Sequence, residues 1–211
     1  EIYRTAMSHN HHVLLNGNAG DLKYSTSVSY NDQEGVIINS DLNRYQARVN
    51  LSQQFNKRLK VDANANFAST TQNGPNPSNN TSAMSTAFMY SVWAYRPVSP
   101  SGADLKDEIY DTDIDMAEDY RFNPVLSAKN EYRRNTTNTL QANLSAEYEI
   151  IKNLKFKVAA GYSSRDIKKE EFNGPNTRTG NSHPSNTQSK GINANLYKYE
   201  FRSYLNENTL T

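Results

Sequence analysis

Residues 59–67 read Leu59-Lys60-Val61-Asp62-Ala63-Asn64-Ala65-Asn66-Phe67. The odd positions are apolar and the even positions are polar or charged. Side chains alternate sides along a β-strand, so this stretch reads as a strand with one apolar and one polar face. An α-helix would scatter both sets around its circumference. The pattern recurs. Leu140, Ala142, Leu144, Ala146 and Tyr148 oppose Gln141, Asn143, Ser145 and Glu147. Leu154, Phe156, Val158, Ala160 and Tyr162 share an apolar side. Tyr45, Ala47, Val49 and Leu51 oppose Arg44, Gln46, Arg48 and Asn50, and Tyr24, Thr26, Val28 and Tyr30 oppose Ser25, Ser27 and Ser29. Two weaker strands flank these. Val13 and Leu15 precede a Gly17-Asn18-Ala19-Gly20 turn. Ile192, Ala194 and Leu196 open a last strand whose alternation changes phase near Tyr197, where a bulge is expected.

Between the strands, short links at about 15–24, 55–59 and 148–154 alternate with long ones at about 31–43, 69–138 and 163–190. A soluble sandwich has no reason for strict short–long alternation. A transmembrane β-barrel does, with tight turns on one side of the bilayer and long loops on the other. Strands of roughly 10–12 residues suit a tilted crossing. Tyr30, Phe55, Phe67, Tyr148 and Tyr162 are expected near strand ends, as interfacial girdles require. The fold class expected is all-β: an antiparallel transmembrane β-barrel segment of about seven or eight strands, with residues 1–211 forming part of one barrel domain.

Composition agrees. The 211 residues carry 23 Lys plus Arg, 22 Asp plus Glu and a formal net charge of +1, with no basic footprint for nucleic acid. Apolar residues make up 36%, and roughly one residue in eight is Asn, which is poor material for a conventional core. With no cysteine, disulfide frameworks, thiolate metal sites and cysteine nucleophiles are excluded. No apolar run is long enough for a transmembrane helix. The chain opens on Glu1-Ile2-Tyr3-Arg4 and closes on Asn208-Thr209-Leu210-Thr211 just as an alternating pattern begins, so a piece of a longer chain is expected.

Certain stretches resemble a known family. Tyr30-Asn31-Asp32-Gln33-Glu34-Gly35-Val36, followed by Asn39-Ser40-Asp41 and Arg44-Tyr45-Gln46-Ala47-Arg48, resembles the early barrel of SusC/RagA-type TonB-dependent outer-membrane transporters. Asn123-Pro124-Val125 and the run from Asn138 to Lys157 resemble the next hairpin. The run from Tyr204 to Thr211 resembles the opening of a further one. The resemblance implies a stretch of a plugged barrel of about 22 strands. It also implies TonB-driven import of large nutrients, mostly glycans and sometimes peptides, and a location in the outer membrane against bilayer and lipopolysaccharide. The implied partners are a SusD-like surface lipoprotein as lid and the TonB complex, the latter reached through an N-terminal part absent here, as is the plug. The alternatives from the residues alone are a non-transporting β-rich module that binds glycans, or a small passive outer-membrane pore.

Within that frame Arg44, Arg48, Lys60, Asp62, Glu147, Lys155 and Lys157 are expected to form a hydrated lumen wall. Residues 70–137 are expected to be a long extracellular loop with a helical stretch over 82–96, stopped by Pro97 and Pro100. There Tyr90, Trp93 and Tyr95 offer flat faces and Arg96 offers donors for substrate, although aromatics in such a loop more often pack it against its neighbours. Asp111-Thr112-Asp113-Ile114-Asp115 starts like a calcium loop, but Met116 and Phe122 stand where glycine and glutamate are required, so residues 111–119 read as an acidic loop. His9, His11 and His12 cluster, yet His11 and His12 are adjacent and point to opposite strand faces. No metal site or cofactor is expected. No nucleophile–base set or Gly-x-Ser-x-Gly elbow is present, so no enzyme is expected.

Overall fold

A computed structural model describes residues 2–75, 88–95, 102, 104, 106–108, 122–182 and 190–211. Seven strands form one antiparallel sheet in sequence order: β1 (Ser8–Ala19), β2 (Leu22–Glu34), β3 (Asp41–Asn56), β4 (Leu59–Asn73), β5 (Glu131–Ile151), β6 (Leu154–Asn173) and β7 (Asn193–Leu210). Two short helices, α1 (Phe88–Ala94) and α2 (Pro124–Asn130), lie between β4 and β5. All three tight turns, Gly20-Asp21, Lys57-Arg58 and Lys152-Asn153, are at one end of the sheet. Gly20 and Asn153 supply the positive φ, +59° and +68°, that such two-residue hairpins need.

The strands are longer than the alternation indicated. They run from 12 to 21 residues rather than 10–12. The link read as 31–43 shrinks to residues 35–40, the loop read as 70–137 spans 74–130, and the link read as 163–190 spans 174–192. The reason is physical. Beyond the apolar stripe both faces become polar, so Glu131–Asn138 and Ser163–Asn173 continue the ladder in water without any period to announce it. Tyr30, Phe67 and Tyr162 consequently sit within their strands, not at the ends.

The turns descend in steps. Gly20-Asp21 stands level with Gln54 and Lys60, two to three residues short of the Lys57-Arg58 turn. That turn is level with Glu149, about three residues short of Lys152-Asn153. A stagger of about 1.3–1.5 residues per strand, at ~3.3 Å per residue against ~4.8 Å between strands, tilts the strands by about 40–45°. That is the tilt of transmembrane barrels.

Among the described residues a small core exists only at the loop end. Ile2, Phe88, Phe122 and Ala128 are buried there, with Ile37, Ile38, Met89, Val92, Val125 and Leu126 packed against them. Asn39 donates from Nδ2 to the Ala128 carbonyl (3.0 Å), and Tyr3 bridges to Ile37. Asn123 caps α2 by accepting from the Val125 and Leu126 amides at 3.1 Å, and it ties down residues 106–108 by donating to the Lys106 (2.8 Å) and Glu108 (3.1 Å) carbonyls. Among the described residues nothing covers the sheet itself in this way. The chain exposes 13,694 Å², whereas a compact monomer of 23.9 kDa exposes about 9,900 Å².

Candidate functional site: a two-faced wall

The register assigns every strand residue to a face, because directly opposed residues in an antiparallel pair point the same way. One face carries an apolar belt. It includes Val13 and Leu15 of β1, Thr26 and Val28 of β2, Ala47, Val49 and Leu51 of β3, and Leu59 to Phe67 of β4 at alternate positions. Leu140, Leu144, Phe156 and Val158 extend it across β5 and β6. Eight steps from Leu59 to Phe67, at ~3.3 Å and about 42° of tilt, give a belt about 20 Å tall. None of the described residues covers it. Val13 is 71% exposed and Leu144 54%.

Aromatic rings mark the loop-side edge. Tyr30 stacks on His11 (6.4 Å between centroids) and packs on Tyr45 (4.8 Å), and Tyr162 packs on Tyr204 (5.3 Å). The edge descends from one pair to the next, as tilted strands require of a level boundary. Tyr148 opposes Phe156 near the turn end. Above the edge the same face turns ionic: Arg202 pairs with Asp166 (2.6 Å) and Lys168 with Glu170 (2.8 Å). On β7 the face is already polar at Asn206 and Asn208, which bond to each other.

The opposite face is hydrophilic. Arg44, Arg48, Lys60, Asp62, Glu147, Lys155 and Lys157 all lie on it. Five of them gather toward the turn end, where Lys60 contacts Asp62 (2.9 Å) and Lys155 contacts Glu147 (2.8 Å). Ser52 stands directly opposite Asp62 on the same face. Arg44 and Arg48 stand higher, amid amides: Gln46 donates to Asn66 (3.0 Å) and Asn143 to Asn64 (3.0 Å). Gly161 makes room there. A Cβ on it would lie 2.7 Å from Asn143 Oδ1 and 3.2 Å from Leu205 Cβ.

Within the 82–96 stretch, α1 holds Tyr90 and Trp93, the latter 77% exposed, while the Tyr95 hydroxyl donates to the Glu108 carbonyl (3.1 Å). Arg96 and the acidic loop 111–119 lie outside the described residues. His9 and His11 stand on the apolar side of β1 and His12 on the other. Among the described residues no three His, Asp or Glu side chains converge as a metal site would need.

Strand β7 corrects one expectation. It pairs with β6 in unbroken register from Asn193 to Leu210, so there is no bulge at Tyr197, and the run from Tyr204 lies within this strand. The change of phase is a change of surroundings: Tyr197, Tyr199 and Phe201 stand on the hydrophilic face. Sequence reading passed over these three, although their spacing of two was a signal.

No family model matches the chain. It is 31% identical over 172 residues to TonB-dependent receptor P3 of Formosa agariphila, covering 82% of this chain and 17% of that protein. It is 41% identical over 68 residues to TonB-dependent receptor SusC of Bacteroides thetaiotaomicron, covering 32% and 7%. The fold superposes on the RagAB peptide transporter with a TM-score of 0.68 at 20% identity, over 98% of this chain and 22% of that one. The open-open state of the RagAB peptide importer gives 0.67. The chain thus spans less than a quarter of the length of each of these proteins. Sequence likeness, seven-stranded antiparallel sheet and barrel-like tilt agree: this chain belongs to the SusC/RagA-type family of TonB-dependent transporters, as a stretch of its β-barrel.

Proposed function

We infer that these residues form part of the wall of an outer-membrane importer that takes up large nutrients, glycans in the first place, under TonB drive. The observation that carries this reading is the uncovered apolar belt, bounded by aromatic rings and set on strands tilted by about 40–45°. In water such a belt is an aggregation surface, and in a bilayer it is a solvated one. The hydrophilic face then lines the lumen. Its turn-end charges, Lys60, Asp62, Glu147, Lys155 and Lys157, suit contact with a hydrated plug. The cap built on α1 and α2 stands at the outer mouth, where a SusD-like lipoprotein would close the barrel, and Trp93 is an exposed aromatic anchor for it. The TonB complex would engage residues beyond this stretch.

The test is cysteine labelling in the full-length parent in outer membranes. Cysteines replacing Lys157 and Asn64 should react with a water-soluble maleimide, whereas cysteines replacing Val158 and Ala63 should react only with a lipid-soluble one. Equal reactivity of both sets with the water-soluble reagent refutes the reading.

A further inference from the structure

The β7 aromatics face the wrong way for lipid. Tyr197, Tyr199 and Phe201 pair with Lys169, Ile167 and Arg165 on the hydrophilic face, on the loop side of the Tyr162–Tyr204 edge. They are 44%, 45% and 55% exposed. Two residues per step places their rings about 6.8 Å apart in a row along the strand. Elsewhere on that face, in the same rows, the wall is mostly amides, hydroxyls and charges, with Leu42, Ala68 and Ile167 the apolar exceptions.

Polar groups converge beside the row. Lys169 Nζ stands 5.9 Å from the centre of the Tyr199 ring. Arg133 is held between Glu131 (3.2 Å) and Glu171 (3.3 Å). Asn135 lies in register between Gln72 and Lys169, and its Oδ1 is buried with no hydrogen-bond partner among the described residues. A cavity of about 280 Å³ opens there, walled in part by Gln72, Arg133, Asn135, Lys169 and Glu171.

Flat rings beside fixed donors and acceptors match one ligand chemistry closely. A pyranose ring presents an apolar C–H face to stack on an aromatic side chain and a rim of hydroxyls that both donate and accept. A peptide would need pockets for its side chains, and this row is open. We propose that Tyr197, Tyr199 and Phe201, with Lys169 and Asn135, form a carbohydrate-binding subsite on the inner face of the wall near its outer mouth. This rests on the import reading for its placement in a lumen.

The experiment is isothermal titration of the full-length parent in detergent with maltoheptaose, cellohexaose, xylohexaose and laminarihexaose, and with a mixed ten-residue peptide pool. At least one oligosaccharide should bind. Tyr199→Ala should weaken it about 10-fold and the triple alanine variant further, while Tyr199→Trp retains binding. Heat-modifiable migration confirms that each variant is assembled, and the single variants Tyr199→Ala and Asn135→Ala serve if the triple does not assemble. Undiminished sugar binding by the assembled Tyr199→Ala and Asn135→Ala variants overturns the subsite and leaves import standing. Binding of peptides alone, or of no probe, overturns the carbohydrate assignment. Wild-type uptake of the bound sugar that persists without TonB strikes at the import reading instead.

Discussion

Replacing Val158 by arginine tests the sidedness of the wall most directly. Val158 lies on the apolar face of β6, opposite Ala146 and Asn208. It is four residues from Tyr162, about 13 Å along the strand, which at about 42° of tilt is ~10 Å below the girdle and near midspan. A guanidinium there has no water to reach without deforming the bilayer, and the cost near the midplane is about 2–4 kcal/mol. At about 3 kcal/mol the folding equilibrium shifts by roughly 150-fold. Lys157, one residue away, points to the opposite face, and Lys157→Arg keeps charge and exposure, so it should change stability by no more than about 0.5 kcal/mol. The assay is urea-dependent folding of the full-length parent into vesicles, followed by tryptophan fluorescence and heat-modifiable migration. Equal tolerance of both substitutions, or greater harm from Lys157→Arg, refutes the assignment of faces.

Other substitutions probe local fits. Gly17→Ala would bring a Cβ to 2.6 Å from Tyr24 Cζ and displace the ring that covers this glycine, costing about 1–2 kcal/mol, and adding Tyr24→Ala should recover part of that loss in a double-mutant cycle. Gly161→Ala meets Asn143 Oδ1, so it should break the Asn143–Asn64 bond and cost about 1 kcal/mol, a penalty that Asn143→Ala should relieve in the same folding assay. Asn123→Ala removes the cap of α2 and its ties to residues 106–108; about 1–2 kcal/mol of local stability should go, seen as faster amide exchange across α2 with β5 unchanged. Arg202→Ala breaks an exposed pair with Asp166 and should cost less than about 1 kcal/mol, with the effect shrinking as salt rises.

Where one face meets lipid and the other water, the residues declare the strand, its sidedness and even its turn. Leu59–Phe67 and Leu140–Tyr148 are legible for that reason, and so is the common face of Arg44, Arg48, Lys60, Asp62, Glu147, Lys155 and Lys157. Where both faces meet water the period vanishes, and Glu131–Asn138 reads as loop although it is paired at every residue. β7 shows a third case. Its apolar residues swap faces because the strand leaves the bilayer and its inner side gains rings, a change indistinguishable from a bulge until the register with β6 is known. The helix α2 was hidden for another reason: seven residues hold too little periodicity, and its cap, Asn123, works partly through distant carbonyls at Lys106 and Glu108.

The sheet has an odd number of strands, each antiparallel to the last, so β1 and β7 run in the same direction. Joining them edge to edge would demand a parallel seam in an otherwise antiparallel ring. The ring would also be tight: seven strands at this tilt give a backbone radius of about 7 Å, an interior that side chains alone fill. Closing these seven described strands on themselves would thus leave a parallel seam and no room for a pore. What remains is an arc whose 12-residue and 18-residue borders each offer a row of backbone donors and acceptors to an oppositely directed neighbour.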